Sequence, residues 1–354
     1  MKTININLPN NSYDIVIQKG LFNSFGAEIR KVYSNTKIAV VLDRNLHEMY
    51  GCRIKDVLEK DNFILNFIVV SPGENSKSLS TLEYVFSKLT SYNITRSDLI
   101  IAFGGGVVGD LAGFAAATYL RGISYIQIPT SLLAQIDSSI GGKVAVGLQE
   151  GKNLVGSFYH PLRVLIDPDF LLCLPEKYLK DGLGEVIKYA CIKDNILYNT
   201  LMDIDSNTQL LNRIEQIIYT CCSIKKQLVE SDEKDKGQRL LLNFGHTIGH
   251  AIEKHMNYKI SHGEAVCLGM LYITKNSENL GFTETGTYDS IKTILKHFNI
   301  EYKHSGLDIE VLKDYICMDK KNLSGNINLI LLKKIGEAFI HKVPIEEIEK
   351  YTFI

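Results

Sequence analysis

The spacing of apolar residues changes near residue 175, and this change constrains the fold more than any other feature of the sequence. Before it, short β-branched runs such as Lys37–Leu42 and Leu99–Phe103 alternate with helical patterns, which predicts parallel strands joined by crossover helices. After it, long helix-periodic segments follow one another until a strand candidate at Asn328–Leu332. A chain of 354 residues usually divides into two domains. We therefore expect an α/β domain over 1–174 and a mostly α-helical domain over 175–354.

The individual elements follow from the same periodicities. Thr3–Leu8 and Tyr13–Gln18 alternate polar and apolar residues around a Pro-Asn-Asn turn, which predicts a β-hairpin. Further strands are predicted at Lys37–Leu42, Phe63–Val70, Leu99–Phe103, Tyr125–Ile128 and Val164–Ile166, and helices at Leu46–Lys60, Ser78–Ser91, Val107–Thr118, Leu179–Leu201, Leu210–Glu230, Thr247–Met256, Gly263–Leu280 and Tyr288–Phe298. The apolar stretch Leu99–Leu120 contains several glycines and Asp110, so a buried strand, loop and helix explain it better than a membrane span.

The charge and cysteine content exclude several classes of function. The net charge is −1 at pH 7, which argues against nucleic acid or an anionic membrane as the main partner. The N-terminal segment lacks the apolar core of a signal peptide. The seven cysteines are odd in number and form no C-x-x-C pair, a usage typical of a reducing compartment. We expect a cytoplasmic protein that binds neither nucleic acid nor membrane.

A glycine-rich loop, GGGVVGD, begins at Gly104 directly after a predicted strand and before a helix of small residues. It fits the G-x-G-x-x-G pattern in the context that dinucleotide-binding turns use. There, glycines let the backbone approach a pyrophosphate and the helix N-terminus supplies N–H donors. The same pattern is expected of a tight turn with close helix–sheet packing, and no acidic residue follows at about twenty positions as in standard dinucleotide sites. The pattern alone favours a nucleotide site without excluding a structural turn.

Charged residues at the ends of two neighbouring strands are candidates for the same crevice. Asp43 ends a predicted strand and could bind a ribose, since the carboxyl ends of parallel strands open onto one edge of the sheet. It could equally cap the following helix. Glu74 and Lys77 lie in a loop after the next strand, where each alone is most simply a solvated loop charge.

A stretch rich in lysine, glycine and small residues follows the glycine loop. Asp137, Lys143, Lys152 and Asn153 lie in it, and lysines in such a setting suit phosphate or carboxylate groups, although most lysines are ordinary surface residues. In GLGEVIKY, Glu185 and Lys188 share one face of a predicted helix. Surface ion pairs often have this spacing, but the segment is otherwise apolar, and a charge against the core needs a partner or a metal.

Four of the nine histidines, His246, His250, His255 and His262, lie within seventeen residues. Neutral imidazole is the commonest protein ligand for catalytic metals, and catalytic zinc often has two histidines and one carboxylate. Glu185 is the best candidate for the carboxylate. His246 and His250 are four residues apart and could form a helical ligand pair, whereas the H-E-x-x-H pattern of metalloproteases is missing and His255 lies beside Lys254.

Several long motifs occur together in one order, and they carry a resemblance to a known family. The motifs are GGGVVGDLAGFAAATYLRG, Q-x-D-S-S-I-G-G-K, GKNLVGSFYHP, GLGEVIKY, RLLLNFGHTIGHAIE, SHGEAV and MDKKNLSG, and they span about residues 40 to 330. In these motifs the chain resembles the 3-dehydroquinate synthases, sugar-phosphate cyclases of the shikimate pathway. The resemblance implies a Rossmann-like NAD-binding domain followed by a mostly helical domain that binds a metal and the substrate.

The resemblance assigns roles to individual residues. It implies a zinc or cobalt ion held by Glu185, His246 and His262, with His250 in proton transfer rather than in the ligand set. Catalytic and substrate-binding positions fall on Asp137, Lys143, Lys152, Asn153, Lys188, Lys225, Arg239, Asn243, His250 and one of Lys320 and Lys321. NAD contacts fall on Asp43, Glu74, Lys77, Gly105, Gly106, Asp110, Thr130, Ser131, Lys143, Lys152, Phe170 and Leu174.

Three further positions bear on assembly and on cofactor contacts. Arg121 matches an arginine that family members supply across a dimer interface, so the resemblance implies a homodimer. Ser131 and Cys173 stand where threonines are expected in many relatives. Both positions lie on the cofactor side, so these departures concern the details of cofactor contact rather than activity.

The reaction implied is the conversion of 3-deoxy-D-arabino-heptulosonate 7-phosphate (DAHP) to 3-dehydroquinate and phosphate. A ring hydroxyl is oxidised transiently with bound NAD, phosphate is eliminated, the hydride is returned, and an intramolecular aldol reaction closes the carbocycle, so there is no net redox change. A metal-dependent alcohol or glycerol dehydrogenase and a cyclase for another sugar phosphate are alternatives from related proteins. A further alternative, which is not an enzyme, is a protein that binds a metal or a nucleotide without catalysing a reaction.

Overall fold

The computed structural model describes residues 1–9, 11–303, 307, 309–320 and 325–352. The chain divides into two compact units. The first contains Met1–Leu174 and Ile214–Glu233, and the second contains Pro175–Arg213 and the chain from Lys234 onward. The division differs from the expected domains 1–174 and 175–354 in one segment, because residues 214–233 pack with the first unit.

A seven-stranded sheet forms the centre of the first unit. Its strands are β1 (Lys2–Ile6), β2 (Tyr13–Ile17), β3 (Lys37–Asp43), β4 (Ile64–Val70), β5 (Leu99–Gly104), β6 (Ser124–Pro129) and β9 (Arg163–Ile166), in the spatial order β1-β2-β9-β6-β5-β3-β4. β1 and β2 pair antiparallel, as the predicted hairpin requires, and the remaining pairs are parallel. The predicted α/β architecture is therefore confirmed.

Helices cover the sheet because its strands are apolar on both faces. Along β3, Ile38, Val40 and Leu42 pack into one buried cluster, and Ala39 and Val41 pack into another, as expected for side chains that alternate across a strand. The helices of the α/β part are α1 (Phe25–Arg30), α2 (Arg44–Glu59), α3 (Leu79–Ser91) and α4 (Gly106–Thr118). The helices α2, α3 and α4 lie close to their predicted positions, whereas α1 was not predicted.

A second hairpin in the first unit was also not predicted. β7 (Lys143–Leu148) pairs antiparallel with β8 (Gly151–Phe158). The centre of β7 is buried, with Val144 and Val146 in a core cluster, whereas most of β8 is exposed. This hairpin carries three of the predicted ligand-binding residues, Lys143, Lys152 and Asn153.

The second unit is mostly helical, as predicted. Its elements are α5 (Glu176–Lys193), α6 (Asn195–Met202), the start of α7 (Asn207–Ser231), α8 (His246–His255), α9 (His262–Asn279), α10 (Thr287–His297), α11 (Ile309–Lys320), α12 (Glu349–Thr352), and a hairpin of β10 (Asn326–Lys334) and β11 (Glu337–Pro344). The single helix expected over Leu179–Leu201 is wrong. It is interrupted at Asp194, whose extended backbone ends α5 and whose carboxylate accepts a hydrogen bond from Leu197 N (2.9 Å) at the start of α6. Among the described residues, no helix is both long enough and apolar enough to span a membrane.

Candidate functional site

Three helices of the second unit meet at glycines that adjoin the predicted metal ligands. A Cβ atom on Gly263, next to His262 at the start of α9, would overlap the carbonyl oxygen of Asp181 in α5. A Cβ atom on Gly184, next to Glu185 in α5, would lie 2.7 Å from the Gly263 oxygen. The backbones of α5 and α9 are therefore in direct contact beside both ligands, a distance that only glycine allows.

A similar contact joins α8 to α9. Gly245 has a left-handed backbone (φ 79°) and directly precedes His246, the first residue of α8. A Cβ atom on Gly269 in α9 would overlap the Gly245 carbonyl oxygen. Glycine thus stands at both of the close contacts that join α9 to α5 and to α8.

The ligand atoms form a compact triangle. Oε1 of Glu185 lies 3.6 Å from Nε2 of His246 and 3.7 Å from Nε2 of His262, and the three atoms all lie within 4.8 Å of one another. Ligand atoms about 2 Å from a tetrahedral zinc ion are separated by roughly 3.3 Å. The spacing therefore fits a bound zinc or cobalt ion with little adjustment.

The hydrogen bonding of Glu185 supplies the stronger test of whether a metal fits. The side chain is fully buried; Oε2 accepts a hydrogen bond from Lys188, whereas no donor in the described part of the chain bonds to Oε1. A buried carboxylate oxygen without a partner is costly. A cation in the triangle would remove that cost, so the residues present fit a metal ion.

Both histidines are oriented by their second ring nitrogen. Nδ1 of His246 donates to the carbonyl oxygen of Phe244 (3.1 Å), and Nδ1 of His262 donates to Oε2 of Glu253 (3.1 Å). In the neutral imidazole each bond leaves Nε2 without the proton, and both Nε2 atoms lie within 3.7 Å of Oε1 of Glu185. Metal-binding histidines commonly have this arrangement.

The two histidines differ in their electrostatic environment. Burial lowers the pKa of His246 well below its usual value, and the Lys188 charge lowers it further. Burial also acts to lower the pKa of His262, but the hydrogen bond to Glu253 and the charge of Glu185 outweigh it and raise that pKa. His246 is therefore the neutral imidazole that a metal requires, and His262 is the more basic donor.

The other two clustered histidines lie outside this triangle. His250 is exposed on α8, with its ring centroid 5.4 Å from that of His246 and 5.9 Å from that of His262. It belongs to a second group of possible ligands with Glu253 and His262, whereas His255 belongs to neither group. The structure thus pairs His246 with His262 around Glu185, and not with His250 as the helical spacing alone allowed.

The remaining predicted residues of the second unit have different environments. Lys188 and Arg239 are almost fully buried, and Asn243 is half-buried at the end of the short helical segment Gln238–Asn243. Lys320 is the last residue of α11, and Lys321 lies outside the described residues.

The glycine loop of the first unit has the predicted strand–turn–helix context. β5 ends at Gly104, and α4 begins at Gly106 with Gly105 as an N-cap that has no side chain to cap the helix. The N–H groups of this first turn therefore receive no capping bond from the N-cap residue, which fits a phosphate group. Later glycines serve packing, since a Cβ atom on Gly109 would lie 2.8 Å from Oε1 of Gln127. The loop thus has features of a phosphate-binding turn and of a tight turn with close helix–sheet packing, the two interpretations that the sequence left open.

Several predicted cofactor residues are paired with one another. Lys77 donates hydrogen bonds to Asp110 and Asn153, and both Lys77 and Asp110 are largely buried. Burial raises the pKa of Asp110, and the Lys77 charge only partly offsets this effect. Asp43 caps α2 by accepting a hydrogen bond from Leu46 N (3.1 Å), so its helix-capping role is shown and its ribose contact stays a prediction.

The predicted substrate residues of the first unit include a second, partly buried ion pair, Lys225 with Asp137. Asp137 lies in a π-helical turn, Ala134–Ser138, a conformation frequent at functional sites. Lys225 donates to its carbonyl oxygen (2.6 Å) and to its carboxylate. Arg121 has a positive φ of 69° and follows Leu120 with 52°, a strained backbone for residues other than glycine.

The other predicted cofactor residues lie at strand and helix ends. Glu74 begins a short helical turn, Thr130 donates its N–H to the Gly104 oxygen (3.0 Å), and Ser131 accepts from Ala134 N (3.3 Å). Phe170 packs in an aromatic cluster with Phe22 and Phe103 and lies in a short helix, Pro168–Cys173, which Leu174 directly follows.

Sequence reasoning missed Glu253 and Asp181. Glu253 contacts His262, and Asp181 accepts a hydrogen bond from Gly263 N (2.6 Å) at the start of α9. Glu253 is buried in α8 together with Ile248, Gly249, Ala251 and Ile252. The signal that indicated Glu185, a charge on an apolar helix face, would have indicated Glu253 as well.

Comparisons with known proteins agree with this geometry. A family model described as 3-dehydroquinate synthase N-terminal matches residues 67–181, and one described as 3-dehydroquinate synthase C-terminal matches residues 182–322. A 3-dehydroquinate synthase from Clostridium acetobutylicum is 52% identical over 99% of both chains.

Solved structures of related enzymes share the whole fold. A 2-deoxy-scyllo-inosose synthase in complex with carbaglucose-6-phosphate, NAD+ and Co2+ superposes with a TM-score of 0.88 at 26% identity, over 99% of both chains. The 2-epi-5-epi-valiolone synthase from Streptomyces hygroscopicus subsp. jinggangensis 5008, with NAD+ and Zn2+ bound, has a TM-score of 0.88 at 25% identity, over 97% of this chain and 96% of that chain.

Proposed function

This chain is a member of the 3-dehydroquinate synthase family, and we propose that it catalyses the reaction for which the family is named. The reaction converts DAHP to 3-dehydroquinate and inorganic phosphate in the shikimate pathway, which leads to the aromatic amino acids. The observation that carries the proposal is the triangle of Glu185, His246 and His262 with a buried carboxylate oxygen that accepts no hydrogen bond from the described residues, in a chain similar to a named synthase along its length.

The cofactors proposed are NAD and a zinc or cobalt ion. When bound, the metal lowers the pKa of a coordinated hydroxyl group, and NAD accepts a hydride and returns it. Glu185, His246 and His262 hold the metal. The glycine loop at Gly105 and Gly106 receives the pyrophosphate, and the other NAD contacts predicted from the sequence surround it.

The chain's own residues bind and orient the substrate. Lys152, Lys225 and Arg239 neutralise the phosphate and carboxylate of DAHP, because ammonium and guanidinium groups are the usual partners of such anions. Asp137, Asn243 and His250 orient hydroxyl groups and move protons. His250 suits proton transfer because it is exposed beside the two ligand histidines. The phosphate of the substrate itself acts as the base that starts the elimination.

Two proposals concern the protein in the cell. We propose that two copies associate as a homodimer and that Arg121 of one copy contacts the substrate of the other. The strained backbone at Leu120 and Arg121 supports a functional role for this turn, since such strain concentrates at functional sites. We also propose a cytoplasmic location, because seven cysteines without a C-x-x-C pair are typical of a reducing compartment.

The test is an assay with DAHP that follows phosphate and NADH separately. The proposal predicts stoichiometric release of phosphate, no accumulation of NADH, and loss of both 3-dehydroquinate and phosphate after treatment with a chelator. Accumulation of NADH with a simple alcohol would instead indicate a dehydrogenase. Turnover of another sugar phosphate but not of DAHP would indicate a cyclase for a different substrate, and tight NAD binding without any turnover would indicate a binding protein.

A further inference from the structure

Glu253 is a buried acid in the second unit to which the proposed reaction gives no role. It lies in α8, its side chain is only 4% exposed, and Oε2 is 3.1 Å from Nδ1 of His262. A buried carboxylate needs a fixed partner to offset the loss of water. Here that partner is the imidazole of a proposed metal ligand.

The two ligand histidines depend on their Nδ1 partners to different degrees. His246 is held by the carbonyl oxygen of Phe244, two residues away on the same segment. His262 begins α9, but its partner Glu253 belongs to α8. The helices are close enough for this bond because Gly249 in α8 packs against the α9 backbone, where a Cβ atom would lie 3.1 Å from the Ala265 oxygen. The orientation of His262 therefore rests on a side chain from another helix.

We infer that Glu253 is a positioning residue whose carboxylate fixes the ring orientation and the Nδ1–H form of His262, and thereby tightens metal binding. A carboxylate bonded to the far nitrogen of a ligand histidine also makes the ligating nitrogen a stronger donor. Such partners typically contribute a factor of about 10 to 100 in metal affinity. This inference rests on the proposed metal site.

Glu253 could instead bind the ion directly, since it also forms a group with His250 and His262. The hydrogen bonding favours the positioning role. The Glu253 oxygen is already bonded to an N–H donor at 3.1 Å, whereas Oε1 of Glu185 accepts no hydrogen bond from the described residues and faces two Nε2 atoms at 3.6 Å and 3.7 Å. The oxygen that lacks a partner, and not the satisfied one, marks the ion's position.

The experiment compares zinc affinity among full-length variants prepared free of metal, by competition with a chromophoric chelator. Glu253→Gln retains an oxygen that can accept the Nδ1–H bond but lacks the charge, so we expect its zinc Kd to rise about tenfold. Glu253→Ala lacks both, and its Kd should rise about a hundredfold. Glu278→Gln is the matched control, because Glu278 lies in α9 and its carboxylate bonds to Tyr288 N (2.6 Å) rather than to a ligand histidine; its zinc Kd should equal that of the parent.

A spectroscopic measurement separates positioning from direct ligation. If Glu253 only positions His262, the visible absorption bands of the cobalt-loaded Glu253→Gln variant keep the parent's energies, because the ligand set is unchanged. Direct ligation by Glu253 predicts shifted bands in this variant. It also predicts that His250→Asn loses as much zinc as His246→Ala, because His250 belongs to the same possible ligand group. These two results together would overturn the inference. Equal zinc affinity of Glu253→Gln and the parent would also overturn it. A parent protein that binds no zinc would contradict the proposed metal site instead.

Discussion

The carboxylates proposed to bind ligands are held in opposite ways in the two units. In the second unit, Oε1 of Glu185 is buried and accepts no hydrogen bond from the described residues. In the first unit, Asp110 is paired with Lys77, Asp137 with Lys225, and Asp43 with the backbone N–H of Leu46. The helical site is therefore complete only with a cation, whereas each of these carboxylates of the first unit has a hydrogen-bond donor within that unit.

This difference determines how well the structure without ligands indicates which ligand each site binds. A site that needs a cation leaves an unsatisfied buried atom, and that atom identifies the missing group by its charge. A site whose residues pair internally gives no such signal, because a ligand must exchange with contacts that already exist. The structure alone thus supports the metal more directly than the nucleotide.

The largest expected effect comes from removing a metal ligand. In His246→Ala and Glu185→Ala, bound zinc and phosphate release from DAHP should both fall below detection, because a three-ligand site does not hold the ion with two ligands. Elemental analysis and the phosphate assay measure the two losses. Added zinc should raise the melting temperature of the metal-free parent but not of either variant.

His255→Ala is the control for these variants, since His255 lies on the same helix as His246 but in neither possible ligand group. It should retain zinc and activity. Full zinc occupancy in His246→Ala would show that the ion is held elsewhere and would remove the contrast between the two units.

The next largest effect is expected from Gly263→Ala, which tests whether the close contact of α5 with α9 sets the distance between Glu185 and His262. Gly263→Ala places a methyl group against the Asp181 backbone, so we expect a loss of about 3 kcal/mol in the free energy of unfolding, near the upper end for overpacking. α9 must move away from α5, and zinc affinity should fall as His262 leaves Glu185. Denaturant unfolding and chelator competition measure the two changes.

Gly51→Ala in α2 is the matched control. Its Cβ atom would lie 3.1 Å from the side chain of His47, which can move, and alanine favours helix more than glycine does. Stability should therefore be unchanged or slightly higher. If Gly263→Ala were equally harmless, the proposed role of glycine contact in ligand spacing would be wrong.

Local patterns predicted the parts of the fold and site that depend on neighbouring residues. β3, β5 and the helix after the glycine loop follow from short apolar runs and glycine spacing, and Glu185 follows from a charge in an apolar helix. The continuous apolar run along β3 is enough to predict that both sheet faces are covered. These features require no knowledge of distant contacts.

The parts that were missed depend on distant contacts. β7 and β8 contain lysines and glycines, and they form strands because β7 packs into a core cluster built largely by other elements. At Asp194 the chain either continues α5 or ends it so that the Asp194 side chain caps α6. The spacing of apolar residues is the same in both cases, so it does not predict the break. The pairing of His262 with Glu253 requires two helices to meet, and nothing in the spacing of either helix specifies that meeting.

A smaller effect tests the internal pairing in the first unit. Lys77→Met leaves Asp110 largely buried without its counter-charge. We expect the free energy of unfolding near neutral pH to fall by about 2 kcal/mol, less than for a fully buried pair because part of this one reaches solvent. The loss should occur without NAD, which distinguishes internal pairing from a ligand effect. Lys55→Met removes an exposed pair with Glu59 and should change stability by less than about 0.5 kcal/mol.

The pH dependence of the same variant gives an independent check. The pKa of Asp110 is raised in the folded state, chiefly by burial, and a carboxyl group of this kind stabilises the fold most at low pH and loses that contribution as pH rises through its folded-state pKa. Without Lys77 the pKa of Asp110 rises further. The stability difference between parent and Lys77→Met should therefore grow from acid toward neutral pH, and a difference independent of pH would contradict the pairing.

The smallest effect separates the two roles of Asp43. Asp43→Ala removes the cap of α2 and should cost about 1 kcal/mol, whereas Asp43→Asn keeps a capping oxygen and should cost only a few tenths. If the carboxylate also binds a ribose, NAD affinity should fall in both variants, because the amide cannot replace a charged acceptor for two hydroxyl groups. Thermal unfolding without NAD and titration with NAD measure the two roles separately. Parent-like NAD affinity in Asp43→Asn would restrict Asp43 to capping, and the internal pairing at the strand ends would then be purely structural at this position.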